Sequence, residues 1–311
     1  MKKKNNYIQI FKMIACILIT NSHCIYPDTM FKIAGASSLF QVGGGWGNAM
    51  FLGISGYLVA CTSQPFWKWM KKRYVRIIPI SVVCSIILFS FVDANNIFIH
   101  IVKSYWFITA IVIYYPLVYI IDKSKNGWKI GLTLYLLIYI VLYIHADRRT
   151  FFVEGQGFSA FKVYSFFIVM CTGALLKRFE CDMKKLNPWL YVAFVIASVS
   201  IWALEYGNMI FRNSGYEYQF FITISRMMIV IAMIGFMCSL DKKKELRLRE
   251  NGIVNLIADS TLEIYLVQII VKAMMQRQVL FESIILFWGL SIILGIIMNK
   301  MYTKLIYSFS K

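Results

Sequence analysis

Lys12 and His23 stand eleven residues apart in a stretch made mostly of apolar side chains. On a helix, eleven steps turn through roughly 1100°, about 20° past three turns, so the two share a face roughly 16 Å apart along the axis. A Lys inside a membrane-crossing helix costs about 2.5–3.5 kcal/mol on insertion scales, so its presence there asks for a function. An imidazole with an ordinary pKa near ~6.5 accepts protons around neutrality, which makes His23 a candidate general base. Arg73 and Arg76 form a second group, at the end of the run Lys68-Trp69-Met70-Lys71-Lys72-Arg73-Tyr74-Val75-Arg76. Two guanidinium forks one helical turn apart converge on one face, a geometry suited to phosphate oxygens. The same run also serves as a plain electrostatic anchor to anionic headgroups. Glu263 and Arg226 lie within apolar windows at depths that differ by only several ångströms, so an ion pair between them is expected, with Glu263 a further catalytic candidate. Lys162 lies near the end of its window, where snorkelling accounts for it.

Membrane helices are the elements that must hold these groups. The 311 residues are 59% hydrophobic and 15% charged, whereas a soluble domain is nearer ~45–50% apolar and ~25% charged. Windows able to cross ~30 Å of hydrocarbon appear ten times, at about 7–26, 46–64, 77–92, 105–121, 129–145, 158–176, 189–205, 220–240, 253–271 and 279–299. The expected fold is therefore all-α: a polytopic membrane helical bundle of about ten transmembrane helices in one domain, residues 1–311. Trp46, Trp106 and Trp189 stand at predicted ends, at headgroup level. With the N-terminus in the cytoplasm, 23 of the 33 Lys and Arg fall in inner connections and seven in outer ones. That bias predicts N-in and C-in. A cleaved leader over residues 1–36, with small residues at Ala34-Gly35-Ala36, is the rival reading. Lys12 and the polar Thr20-Asn21-Ser22-His23 interrupt its apolar region.

The net charge of +18 would point to nucleic acid in a soluble protein. Here the cations gather between spans, and no nucleic-acid motif accompanies them. The seven cysteines are scattered, none at metal-ligand spacing, and read as small apolar fillers, with no metal expected. Gly43-Gly44-Gly45-Trp46-Gly47 lacks the Lys-Ser or Lys-Thr of a phosphate-binding loop and reads as a flexible entry to the second span. No internal repeat is visible, which weighs against a transporter built from repeated halves, the alternative function in which buried cations line a path for a lipid-linked sugar.

Several phrases carry a resemblance. Lys12 to His23 is a basic residue, ten intervening positions and a His. There follow Phe51-Leu52-Gly53-Ile54-Ser55-Gly56-Tyr57-Leu58, then Arg73-Tyr74-Val75-Arg76 with Pro79, then Tyr105-Trp106-Phe107, and late in the chain Ser260-Thr261-Leu262-Glu263-Ile264-Tyr265-Leu266. In this order, along the whole chain, they resemble the acyltransferase-3 family of integral-membrane acyltransferases. Two departures are Lys12, where the family usually has Arg, and Gln268, where its late motif often ends in His. The resemblance implies an O-acetyltransferase type of enzyme in the bacterial cytoplasmic membrane. It would take an acyl group, commonly acetyl, from acyl-CoA and deliver it across the membrane to a hydroxyl of a surface polysaccharide or lipid-linked sugar. Acetyl-CoA would be a co-substrate, with no permanently bound cofactor. Carried over residue by residue, Arg73 and Arg76 would bind CoA phosphates, Lys12 would lie deeper along the thioester path, holding an anionic group or stabilising charge on the carbonyl, and His23 would deprotonate the acceptor or relay its proton. Asn21, Ser55 and Trp106 are candidate substrate contacts, with Ser55 and Tyr57 also readable as helix-packing groups. Membrane lipids, acyl-CoA and the glycan are the expected partners, and nucleic acid is not.

Overall fold

A computed structural model describes residues 5–24, 26, 41–92, 102–150, 153, 159–241, 251–277 and 283–309. Among them regular structure is helical. In chain order the helices are α1 (Asn6–His23), α2 (Gly44–Val59), α3 (Phe66–Phe89), α4 (Trp106–Lys123), α5 (Gly127–His145), α6 (Ala160–Arg178), the short α7 (Glu180–Met183), α8 (Pro188–Phe211), α9 (Phe220–Asp241), α10 (Gly252–Asp259), α11 (Thr261–Gln276) and α12 (Ile284–Phe309). Ala34–Ala36 of the rival leader reading and the cations at 242–249 lie outside the described residues.

Among the described residues six helices (α4, α5, α6, α8, α9 and α12) are long and apolar enough to cross a membrane, and α10 with α11 makes a seventh if that bent pair is one span. The protein is thus a multi-pass membrane protein. The other three predicted spans are helical but fall short of that length or hydropathy for visible reasons. α1 carries Gln9, Lys12 and the polar Thr20–His23 stretch, α2 has 16 residues, and the first half of α3 holds five cations. Those three helices also bear most of the candidate chemistry.

The described residues divide into two compact units. One comprises residues 1–48, 72–105 and 248–311. Within it α1 starts at Asn5, whose side chain accepts from the Tyr7 and Ile8 amides, satisfying N–H groups that a helix start leaves open. The glycines at 43–47 are a packing surface rather than a flexible entry. A Cβ on Gly44 would lie 2.4 Å from Ser22 Oγ, and one on Gly47 2.7 Å from the Ala15 carbonyl. Gly43 also takes φ +104°, a left-handed conformation that L side chains rarely adopt. Pro79 within α3 has no N–H for the Val75 carbonyl four residues back, and Tyr302 Oη of α12 donates to that carbonyl at 2.6 Å instead. Cys24, Val267, Val271, Met275 and Phe287 form an apolar core here.

The second unit comprises residues 49–71 and 106–247. In it α2 and α6 meet backbone to backbone. A Cβ on Gly56 would lie 2.0 Å from the Met170 carbonyl oxygen, and one on Gly173 2.0 Å from that of Gly53. Small residues permit this close approach between membrane helices. α8 and α9 are joined by reciprocal bonds, Ser198 Oγ to the Ser225 carbonyl at 2.8 Å and Ser225 Oγ to the Ser198 carbonyl at 2.9 Å.

Candidate active site

The predicted ninth span is not one helix. It breaks at Ser260, where α10 and α11 meet at 66°. The break moves Glu263 from mid-helix into the first turn of α11, where a carboxylate complements the positive end of the helix dipole. Ser260-Thr261-Leu262-Glu263 spells a capping box, yet the Ser260 side chain makes no capping bond. Glu263, fully buried, is instead held from two other helices. Arg76 Nη1 of α3 pairs with its Oε1, and Asn299 Nδ2 of α12 donates to its Oε2 at 3.0 Å. Asn299 also reaches the Asp259 carbonyl at 3.0 Å, and Gln9 Nε2 of α1 donates to Asp259 Oδ1 at 3.0 Å. These bonds tie α1, α3 and α12 to the break itself.

The expected Glu263–Arg226 pair is therefore replaced by Glu263–Arg76. Depth along two helices says nothing of the direction each side chain takes, and Arg76 reaches Glu263 from a third helix, α3. The Arg76 side chain is 34% exposed, and its guanidinium stands 5.7 Å from the Tyr302 ring centroid. Nη1 of Arg76 is thus committed to a carboxylate while the side chain as a whole stays partly exposed. Arg73, one turn earlier on α3, is half-buried.

Lys12 and His23 both lie on α1 and are both half-buried. His23, in the last turn, meets the ring of Tyr265 edge-on at 6.4 Å between centroids. Tyr265 in turn meets Tyr105 at 6.2 Å, and Tyr105 Oη donates to the Leu266 carbonyl at 3.1 Å. Asn21 is engaged within the chain at both ends of its amide, since Nδ2 donates to the Val42 carbonyl at 3.1 Å and Tyr26 Oη donates to Oδ1. These bonds make Asn21 a strap between the end of α1 and the approach to α2.

Within the second unit, Ser55 is half-buried on α2 between the two glycines that press on α6. Trp106 is buried, not displayed at a membrane surface, and its ring packs 5.3 Å from Phe166. Lys162 is buried rather than snorkelling, its ammonium 4.4 Å from the Trp106 ring centroid. Arg226, fully buried, stacks 4.1 Å over Phe166 and donates to the Val153 carbonyl at 3.4 Å. An aromatic face attracts a cation most strongly when both are desolvated. Tyr57 packs as a helix-contact group, with the Lys177 ammonium 4.6 Å from its ring centroid. Beyond the end of α6, Glu180 accepts from Lys177 at 2.5 Å and Lys184 at 2.7 Å. Partial burial pushes the Glu180 carboxyl up, but bonds from Lys177, Lys184 and Tyr57 outweigh it and hold the group down at about 2.

Asp259, Gln9, Asn299 and Tyr302 were not among the expected site residues. Their signal in the sequence is faint: single polar residues inside or at the edge of apolar windows, with partners 36 to 250 positions away. A family model described as an acyltransferase domain, that of the acyltransferase-3 family, matches residues 5–298. No curated protein and no solved structure matches the chain.

Proposed function

We propose that this chain, which belongs to the acyltransferase-3 family of membrane acyltransferases, moves an acetyl group from cytoplasmic acetyl-CoA to a hydroxyl of a surface polysaccharide or lipid-linked sugar. The membrane is the bacterial cytoplasmic membrane, with both termini inside and the whole chain acting as one catalytic domain. The observation that carries this reading is the grouping, in one compact unit, of α1 with its Lys12 and His23, the α3 arginines, and the break at Ser260 that buries Glu263.

Arg73 and the partly exposed Arg76 take the CoA phosphates. Glu263 orients Arg76, and with Asn299 fixes the start of α11, so it is a positioning residue rather than the proton acceptor. Lys12, about 16 Å from His23 along the helix, is too far to touch a carbonyl under attack beside the imidazole. It holds an anionic part of the donor instead. His23 accepts the proton of the acceptor hydroxyl as its oxygen attacks the thioester carbonyl. The carbon–sulfur bond then breaks as the ester bond forms, and the proton passes from His23 to the thiolate, releasing free CoA.

In proteoliposomes supplied with acetyl-CoA and glycan from cells lacking the gene, the wild type should release CoA. His23→Ala should lower that rate by about 10²–10⁴-fold, the range for a general base, while inserting normally. A His23→Ala protein with undiminished release removes His23 from the reaction. The broken α10–α11 pair supports a second reading, since transporters build sites at discontinuous helices. Glycan movement across vesicles containing no acyl donor would favour it.

A further inference from the structure

Gln268 lies on α11, is fully buried, and neither its Oε1 nor its Nε2 has a hydrogen-bond partner among the described residues. Burying both ends of a carboxamide unpaired is costly, and nothing in the packing described above repays it. Its position is informative. Gln268 stands one helical turn beyond Tyr265, whose ring meets His23, so the two α11 side chains are neighbours on the helix surface. Val267 and Val271, which bracket Gln268 in the chain, pack with Cys24, the residue that follows His23. The carboxamide is therefore level with His23. The Glu263–Arg76 pair lies five residues back along α11, about 7.5 Å along the axis.

We propose that Gln268 reads the acceptor, with Oε1 accepting from one sugar hydroxyl and Nε2 donating to its neighbour, so that the reacting hydroxyl is presented to His23. A carboxamide offers a donor and an acceptor side by side. Phosphate oxygens and a thioester carbonyl take only donors and would leave Oε1 unpaired. Adjacent hydroxyls of a sugar ring satisfy both ends. The amides of a pantetheine arm also carry both kinds of group, but the cation end from which a donor would enter lies on the other side of Tyr265. A site built around buried polar groups rejects an analogue that leaves them unpaired, which makes Gln268 a specificity residue. This inference rests on the acyltransfer reading, and its test separates the two.

The test compares wild type with Gln268→Met, an apolar replacement of similar length, in proteoliposomes with acetyl-CoA and glycan purified from cells lacking the gene. Gln268→Met should fold with an equal or higher melting temperature, because an unpaired buried amide has been removed. The KM for acetyl-CoA should stay within about twofold, while kcat/KM for the glycan falls about 100-fold. Residual product should show acetyl spread over neighbouring hydroxyls by nuclear magnetic resonance. Glycan should also raise the melting temperature of the wild type and not that of Gln268→Met, a readout that needs no chemistry. A shifted KM for acetyl-CoA with unchanged glycan kinetics overturns the proposal in favour of a pantetheine contact. A lowered melting temperature with both substrates affected alike overturns it in favour of a structural amide bonded to water. A wild type that binds glycan but releases no CoA sinks the acyltransfer reading and leaves acceptor recognition standing. Equal glycan-induced stabilisation of both proteins sinks the proposal itself.

Discussion

The two compact units share one way of burying charge and differ in another. In the unit containing α1 and α10–α12, a buried carboxylate meets a cation and an amide: Glu263 with Arg76 and Asn299. In the unit containing α4–α9, buried Asp122 likewise meets Arg178, but the buried cations lie on aromatic faces, Lys162 over Trp106 and Arg226 over Phe166. An ion pair is directional and needs fitting geometry to offset desolvation, so it orients the groups it joins. A ring face tolerates many approach angles, so it stabilises a cation without aiming it. Glu263–Arg76 thus sets the orientation of a partly exposed guanidinium. The aromatic pairs fill and hold the interior of α4, α6 and α9.

That contrast can be broken by substitution. Glu263→Ala removes the partner of a guanidinium that is one-third exposed and should cost about 1.5–3 kcal/mol, read as lost thermal stability in detergent. Glu263→Gln combined with Arg76→Met should recover much of it, because removing both charges together is far cheaper than removing one. A Glu263→Ala protein that melts like the wild type would show that the pair orients nothing. Phe166→Leu removes the ring beneath Arg226 and should cost less, about 1–2 kcal/mol, by the same measurement. A loss equal to that of Glu263→Ala would erase the distinction between an ion pair and a ring face. The smallest effect concerns Glu180, at the end of α6, outside the candidate spans. Its folded carboxyl is held at about 2, below an unfolded value near ~4.3. The stabilisation is therefore present above about pH 4.3 and lost as pH falls toward about 2. Glu180→Gln should flatten the melting temperature across that window relative to wild type, and an unchanged profile would show that the Lys177 and Lys184 contacts contribute nothing.

The chain's order of apolar windows announced its helices because each span must satisfy its own backbone in lipid, a local requirement. Lys12, His23 and the Arg73–Arg76 pair were legible for the same reason, since charge within or beside an apolar run stands out and its spacing sets its face. Gly53 and Gly56 appeared in a recognisable phrase, but their task, admitting Gly173 and the Met170 carbonyl, needed coordinates. For Lys162, proximity to a helix end allows snorkelling, whereas a Trp ring on another helix supplies a buried alternative that spacing does not reveal.

Pairing was the province of the tertiary structure. Whether Glu263 meets Arg226 or Arg76 depends on azimuth and on a break at Ser260 that no Pro or Gly marks. Asn299 and Gln9 acquire meaning only because α12 and α1 pass the ends of that break. Local residue type and spacing determined which groups in this protein are charged and where along a helix they fall. Which of them touch was decided by packing between segments up to 250 residues apart, an outcome of the whole bundle's search for close contact and satisfied polar groups.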